Sequence, residues 1–124
     1  MSDERMADEV SRKIELAWLT AFYGGLLTDK QRQVLALHCE EDLSLGEIAQ
    51  ELSISRQAVY DNLSRTEALL KNMEAKTGCV RRDRQLRREM EAIAEAAQKL
   101  ISYPDDRVFR LASDILSHAT AIEE

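Results

Sequence analysis

Apolar residues recur along this chain at spacings of three and four, the period of helices that turn one side to a core. From Ala7 to Tyr23, the residues Val10, Ile14, Ala17, Trp18 and Ala21 form one such stripe, and Gly24-Gly25 ends it. In the second half of the segment the apolar pattern closes round the helix, because Leu16, Leu19 and Tyr23 stand opposite that stripe. One neighbour cannot bury both sides. Either the C-terminal helices or a second subunit must cover the other, and the all-round pattern favours a homodimer with Leu16, Trp18, Leu19, Phe22 and Tyr23 at its interface.

Capping signals divide the rest of the chain. Thr28 followed by Gln31 is a capping box, and Val34, Leu35 and Leu37 behind it predict a helix to about Glu41. Ser44 followed by Glu47 repeats the box and opens about two turns carrying Ile48, Ala49 and Leu52. Ser55 caps the next helix, in which Val59, Leu63, Thr66 and Leu70 share a face, and which runs to Ala75 or Lys76 before Thr77-Gly78. Arg82 to Ile101 carries Leu86, Met90, Ile93, Ala97, Leu100 and Ile101 on one stripe. Beyond Pro104, the residues Val108, Leu111, Ala112, Ile115, Leu116 and Ala119 complete a last helix. No strand signal appears. The expected fold is all-α with about six helices in a single domain, 1–124, whose helix-turn-helix core is 28–76 and whose C-terminal helical extension is 81–122.

The segment Leu45 to Leu63 has the size pattern of a helix-turn-helix unit. Ala49 is small where two helices cross, Ile48 and Leu52 fill the angle, Ile54 plugs the turn, and Val59 with Leu63 anchors the second helix. The turn position that often carries glycine is Ser53, which tolerates the bend better than a β-branched residue. Without strands for a wing, the unit falls in the winged-helix-like class without a wing.

The strings Leu27-Thr28-Asp29-Lys30-Gln31-Arg32-Gln33-Val34-Leu35, Glu41-Asp42-Leu43-Ser44-Leu45-Gly46-Glu47-Ile48-Ala49 and Ser55-Arg56-Gln57-Ala58-Val59-Tyr60-Asp61-Asn62 resemble the YlxM family. These are small bacterial helix-turn-helix proteins similar to sigma factor region four. With Phe22 to Thr28 included, the resemblance covers roughly Leu16 to Leu70. It implies an all-α, dimeric, cytosolic protein acting in the signal recognition particle pathway as a regulator.

If the second motif helix enters a major groove, Arg56, Gln57, Tyr60, Asp61 and Ser64 lie at its leading and outward positions, with Arg65 at the flank. Ser55 and the amides behind it suit a phosphate. Gln57 matches an adenine edge and Arg56 a phosphate or guanine. Charge discounts this reading. Residues 44–65 hold Glu47, Glu51 and Asp61 against Arg56 and Arg65, a net of −1, and the whole chain has 17 Lys+Arg against 23 Asp+Glu, a net of −6. DNA or structured RNA is therefore expected to bind with modest affinity. The alternative is a protein-interaction module that keeps the helix-turn-helix as scaffold, with weak or no DNA binding.

A secondary basic patch lies at Arg81, Arg82, Arg84, Arg87 and Arg88, where five arginines and Asp83 give +4 within eight residues. It either grips phosphates without base reading or is a solvated helix face, and the Asp83–Arg87 spacing with Glu89, Glu91 and Glu95 nearby favours the second.

Cys39 and Cys79 stand forty positions apart with no metal-ligand spacing, and His38 beside Cys39 completes no zinc pattern. They read as reduced thiols, with His38 and Cys39 in or beside the core. No nucleophile motif, phosphate-cradling loop or acid/base pair is present, so no enzyme activity, cofactor or metal is expected. The polar start Met1-Ser2-Asp3-Glu4-Arg5 and the lack of a long apolar run predict a cytoplasmic protein with no membrane span.

Overall fold

Caps and left-handed residues set the helix boundaries. The computed structural model describes residues 2–121 and forms there α1 (Ser2–Tyr23), α2 (Asp29–Cys39), α3 (Leu45–Leu52), α4 (Arg56–Thr77), α5 (Cys79–Ile101) and α6 (Asp106–Ala121), with a 3-10 turn at Gly24–Leu26. No strand occurs among the described residues. Ile122, the expected end of the extension, and Met1 lie outside them.

The Thr28 hydroxyl accepts from the Gln31 amide (3.2 Å) while Gln31 Oε1 accepts from the Thr28 amide (2.9 Å). Ser44 and Glu47 repeat the exchange, each bond at 3.1 Å. Both capping boxes are where the sequence places them. Three ends differ. α1 starts at Ser2 rather than Ala7, since Asp3 and Glu4 complement the positive helix start. α2 stops at Cys39, because the amides of Glu40 and Glu41 both turn back to the Ala36 carbonyl (2.8 and 3.3 Å) and Asp42 is left-handed (φ 54°). α5 begins at Cys79, because Gly78 at φ 63° ends α4 and lets a helix restart at once.

The chain divides into two compact units between Val80 and Arg81. In the first, α4 packs on α1, α2 and α3. Its core gathers Leu16 and Leu19 from α1, Val34 and Leu35 from α2, Ile48 and Ala49 from α3, and Val59, Leu63 and Leu70 from α4. The Tyr23 hydroxyl donates to Glu74 Oε1 (2.7 Å), which also accepts from the Val80 amide (3.0 Å), tying the ends of α1 and α4 to the start of α5. In the second unit Ala97, Ala112 and Ala119 are the buried apolar side chains, and Leu86, Ile93, Leu100, Phe109, Leu111 and Ile115 are exposed. Asp105 Oδ1 accepts from the amides of Arg107 and Val108 and caps α6.

The orientation of α1 corrects the expected interface. Leu16, Leu19 and Tyr23 are buried in the chain's own core, so they cannot meet a second subunit. Trp18 and Phe22 are exposed, on the same side as Met6, Val10 and Ile14. The longer stripe therefore faces outward. Its inward rival is shorter, and it includes the tyrosine whose hydroxyl finds Glu74.

A polar cluster closes the α1–α2–α4 junction. Arg12 donates Nε to Glu67 Oε1 (3.2 Å) and Nη2 to Oε2 (2.8 Å), a fork-to-fork pair that holds the Glu67 carboxyl below its ordinary range. Arg12 Nη1 also lies 3.2 Å from His38 Nε2. An arginine only donates, so Nε2 accepts and the ring proton sits on Nδ1, which is buried without a hydrogen-bond partner. Burial first, then Lys13 and Arg12, push the His38 pKa below its ordinary 6.5.

Unfolding frees this ring, so below about pH 6.5 the unfolded chain takes up a proton that the folded chain resists. Stability is full at neutral pH and above, and declines as the pH falls through this window. Urea midpoints at about pH 7.5 and about pH 5.5 read the decline, and His38→Asn should flatten it. An identical pH slope in that variant would assign the loss to other groups.

Candidate nucleic-acid interface

The first unit builds its motif from α3, a three-residue turn and α4. Ile48 and Val59 are fully buried, Ala49 and Leu63 nearly so, and Leu52 and Ile54 pack half-buried against the same core. The Ile54 amide donates to the Ala49 carbonyl (3.1 Å) and the Ser53 amide to the Gln50 carbonyl (3.4 Å), a Schellman closure with Ile54 as its apolar plug. Ser53 itself is left-handed, φ 56°, ψ 44°. Ser53→Gly should therefore stabilise the chain by up to about 1 kcal/mol, read as a rise in the denaturant midpoint. A lower midpoint would show that the serine contributes more than its backbone strain costs.

Ser55 Oγ accepts from the Ala58 amide (3.0 Å) and caps α4. With Val59, Leu63, Thr66 and Leu70 turned inward, the helix exposes Arg56, Gln57, Tyr60, Asp61, Ser64 and Arg65. Every residue expected at the reading surface is thus accessible on α4 or its cap. Two of them are less free than their exposure suggests. Gln57 Nε2 donates to Asp61 Oδ1 (3.0 Å), so the amide suited to an adenine edge is held by its own helix. Arg56 lies over Gly46, its Nε 3.7 Å from where a Cβ on that glycine would stand.

Arg56 also lines a shallow concavity of about 600 Å³ with Ser44, Gly46, Glu47, Ala49, Gln50 and Ile54. Sequence reasoning placed the surface on α4 alone and missed the contribution of Gly46 and Gln50. The only signal for them was glycine in the first turn of α3, beside a later arginine. Glu47 shares the concavity, its carboxyl held below its ordinary pKa because the Ser44 amide donates to it.

The basic patch lies on the part of α5 that belongs to the second unit. Arg81, Arg82, Arg84, Arg87 and Arg88 are all exposed. Arg87 Nε donates to Asp83 Oδ2 (2.8 Å), the expected pair at a spacing of four, and Arg81, Arg82 and Arg84 also interact with neighbours. His38 and Cys39 are half-buried beside the first core.

A family model described as helix-turn-helix protein, YlxM / p13 like, and designated UPF0122, matches residues 10–105. The chain belongs to this family. The match runs beyond the stretch that carries the sequence resemblance, taking in most of α1, all of α5 and the connection after it. A UPF0122 protein of Latilactobacillus sakei is 43% identical over 112 residues, covering 88% of this chain and 96% of that one. One from Lacticaseibacillus casei is 42% identical over 118 residues, covering 91% and 98%. One from Geobacillus kaustophilus is 43% identical over 86 residues, covering 69% and 78%. No helix among the described residues of this UPF0122 chain is long and apolar enough to cross a membrane.

Proposed function

We propose that this UPF0122 chain is a nucleic-acid-binding regulatory protein that works as a homodimer in the cytoplasm and uses the α4 face as its contact surface. The family resemblance supports a likeness to sigma factor region four and a regulatory role in the signal recognition particle pathway. The observation that carries the reading is the pairing of a buried Val59–Leu63–Thr66–Leu70 face with exposed Arg56, Gln57, Tyr60, Ser64 and Arg65 behind the Ser55 cap. In a helix-turn-helix that is the arrangement which presents a helix start and its outward side chains to a groove.

A second reading has its own support. The Gln57–Asp61 bond and the net −1 of residues 44–65 suit a basic protein surface better than a phosphate backbone. Fluorescence anisotropy with a random duplex and with a structured RNA hairpin separates the cases. Arg56→Ala should weaken random-duplex binding several-fold, the loss of one phosphate contact, while an Arg87→Ala/Arg88→Ala variant should leave it near wild type. Loss in the arginine double variant alone would move the surface to α5. Absence of binding to either nucleic acid would leave the protein-scaffold reading.

A further inference from the structure

We propose that the outer face of α1, with the α1–α2 groove beside it, docks a basic amphipathic helix of a partner protein. The inference goes beyond the function proposed above and depends neither on what the α4 face binds nor on the homodimer. Residues 3–11 are exposed on every side of the helix, so nothing among the described residues covers the first turns of α1. Helices in proteins are held mainly by tertiary packing of an apolar face. Here the outward side chains Met6, Val10, Ile14, Trp18 and Phe22 are bare, at 66%, 56%, 44%, 38% and 46% exposure.

Charge decides what kind of helix fits. α1 carries Asp3, Glu4, Asp8, Glu9 and Glu15 against Arg5, Arg12 and Lys13. Its cations turn away from the bare face: Arg12 pairs with Glu67, Lys13 pairs with Asp42, and Arg5 stands half a turn round from Ile14. Glu4, Asp8 and Glu15, spaced by four and seven, form an acidic edge along the apolar side chains. On the opposite edge lies a groove of about 250 Å³ between Ala17 and Ala21 of α1 and Leu35, Ala36 and Cys39 of α2, with the exposed Glu40 among its lining residues. A partner helix with apolar residues every three or four positions fills the stripe and the groove, while lysines or arginines beside them meet the carboxylates. Self-pairing fits worse, because an antiparallel two-fold pairing of α1 sets the acidic edge beside its own copy. Anionic lipid headgroups meet the same repulsion.

Trp18 is the chain's single tryptophan and stands on this face, so its emission reports cover directly. The probe is a synthetic peptide of leucine and lysine, about 18 residues or roughly five helical turns, with leucine at helical spacing. Its controls are the same helix with glutamate in place of lysine and a scrambled order of the leucine–lysine composition. Added to the full chain, the leucine–lysine helix should shift Trp18 emission to the blue and saturate, and both controls should bind at least about tenfold more weakly. A Glu4→Lys/Asp8→Lys/Glu15→Lys variant and Phe22→Glu, all at exposed positions, should each lose about tenfold or more, with circular dichroism confirming that the helices persist. Arg56→Ala should bind the peptide as the wild type does, which separates this face from the α4 surface. Equal binding of either control peptide, no blue shift, or full binding by both α1 variants would overturn the docking site. So would a Trp18 emission that moves to the blue with protein concentration alone, which would seat a second copy there.

Discussion

Ile48→Ala should destabilise the chain by about 2–5 kcal/mol, the cost of emptying a fully buried aliphatic position. Ile48 is among the largest side chains with no exposed surface, and it sits on α3 where that helix meets α4. Its neighbour Ala49 is too small to close the gap that truncation opens. For a domain whose total stability is on the order of 5–15 kcal/mol, this loss removes a large share. Urea unfolding followed by helical signal should show a lower midpoint at unchanged m. A change under about 0.5 kcal/mol, the size of an ordinary surface substitution, would mean that the α3–α4 angle is set elsewhere.

Asp61→Ala should tighten binding to random duplex about fivefold to tenfold, a gain of about 1 kcal/mol. The substitution removes the carboxylate that stands among the outward positions of α4 and frees the Gln57 amide hydrogen that Asp61 holds for a groove edge. It takes residues 44–65 from a net of −1 to zero. The lost Gln57–Asp61 contact supports the helix by only about 0.2–0.5 kcal/mol, so the fold persists and the comparison is one of binding. Unchanged or weaker duplex binding would show that Asp61 contributes to recognition, which is what a basic protein partner requires.

Much of this architecture is legible in the sequence because it is set by local chemistry. Thr28, Ser44 and Ser55 cap as their side chains dictate, and the Val59–Leu63–Thr66–Leu70 face is buried as its spacing requires. The exposure of Arg56, Gln57 and Tyr60 follows from that same face. What escaped was set by choices between nearly equal local options. α1 carries apolar residues on both sides, and periodicity alone does not say which side the rest of the chain covers. Tertiary partners decide it: the Tyr23 hydroxyl reaches Glu74, and Arg12 reaches Glu67 across 55 residues of sequence. The early restart of α5 was hidden because Gly78 reads equally as a loop or as a left-handed cap. Arg56 lying over Gly46 depends on how closely α3 and α4 approach, which no one-dimensional pattern contains.

The central claim is that the α4 face meets phosphates through Arg56. The measurement that reads it most directly is the slope of log affinity against log salt concentration for duplex binding, in the wild type and in Arg56→Ala. The account predicts that the variant's slope is shallower by about one counterion. Equal slopes in the two proteins would contradict it.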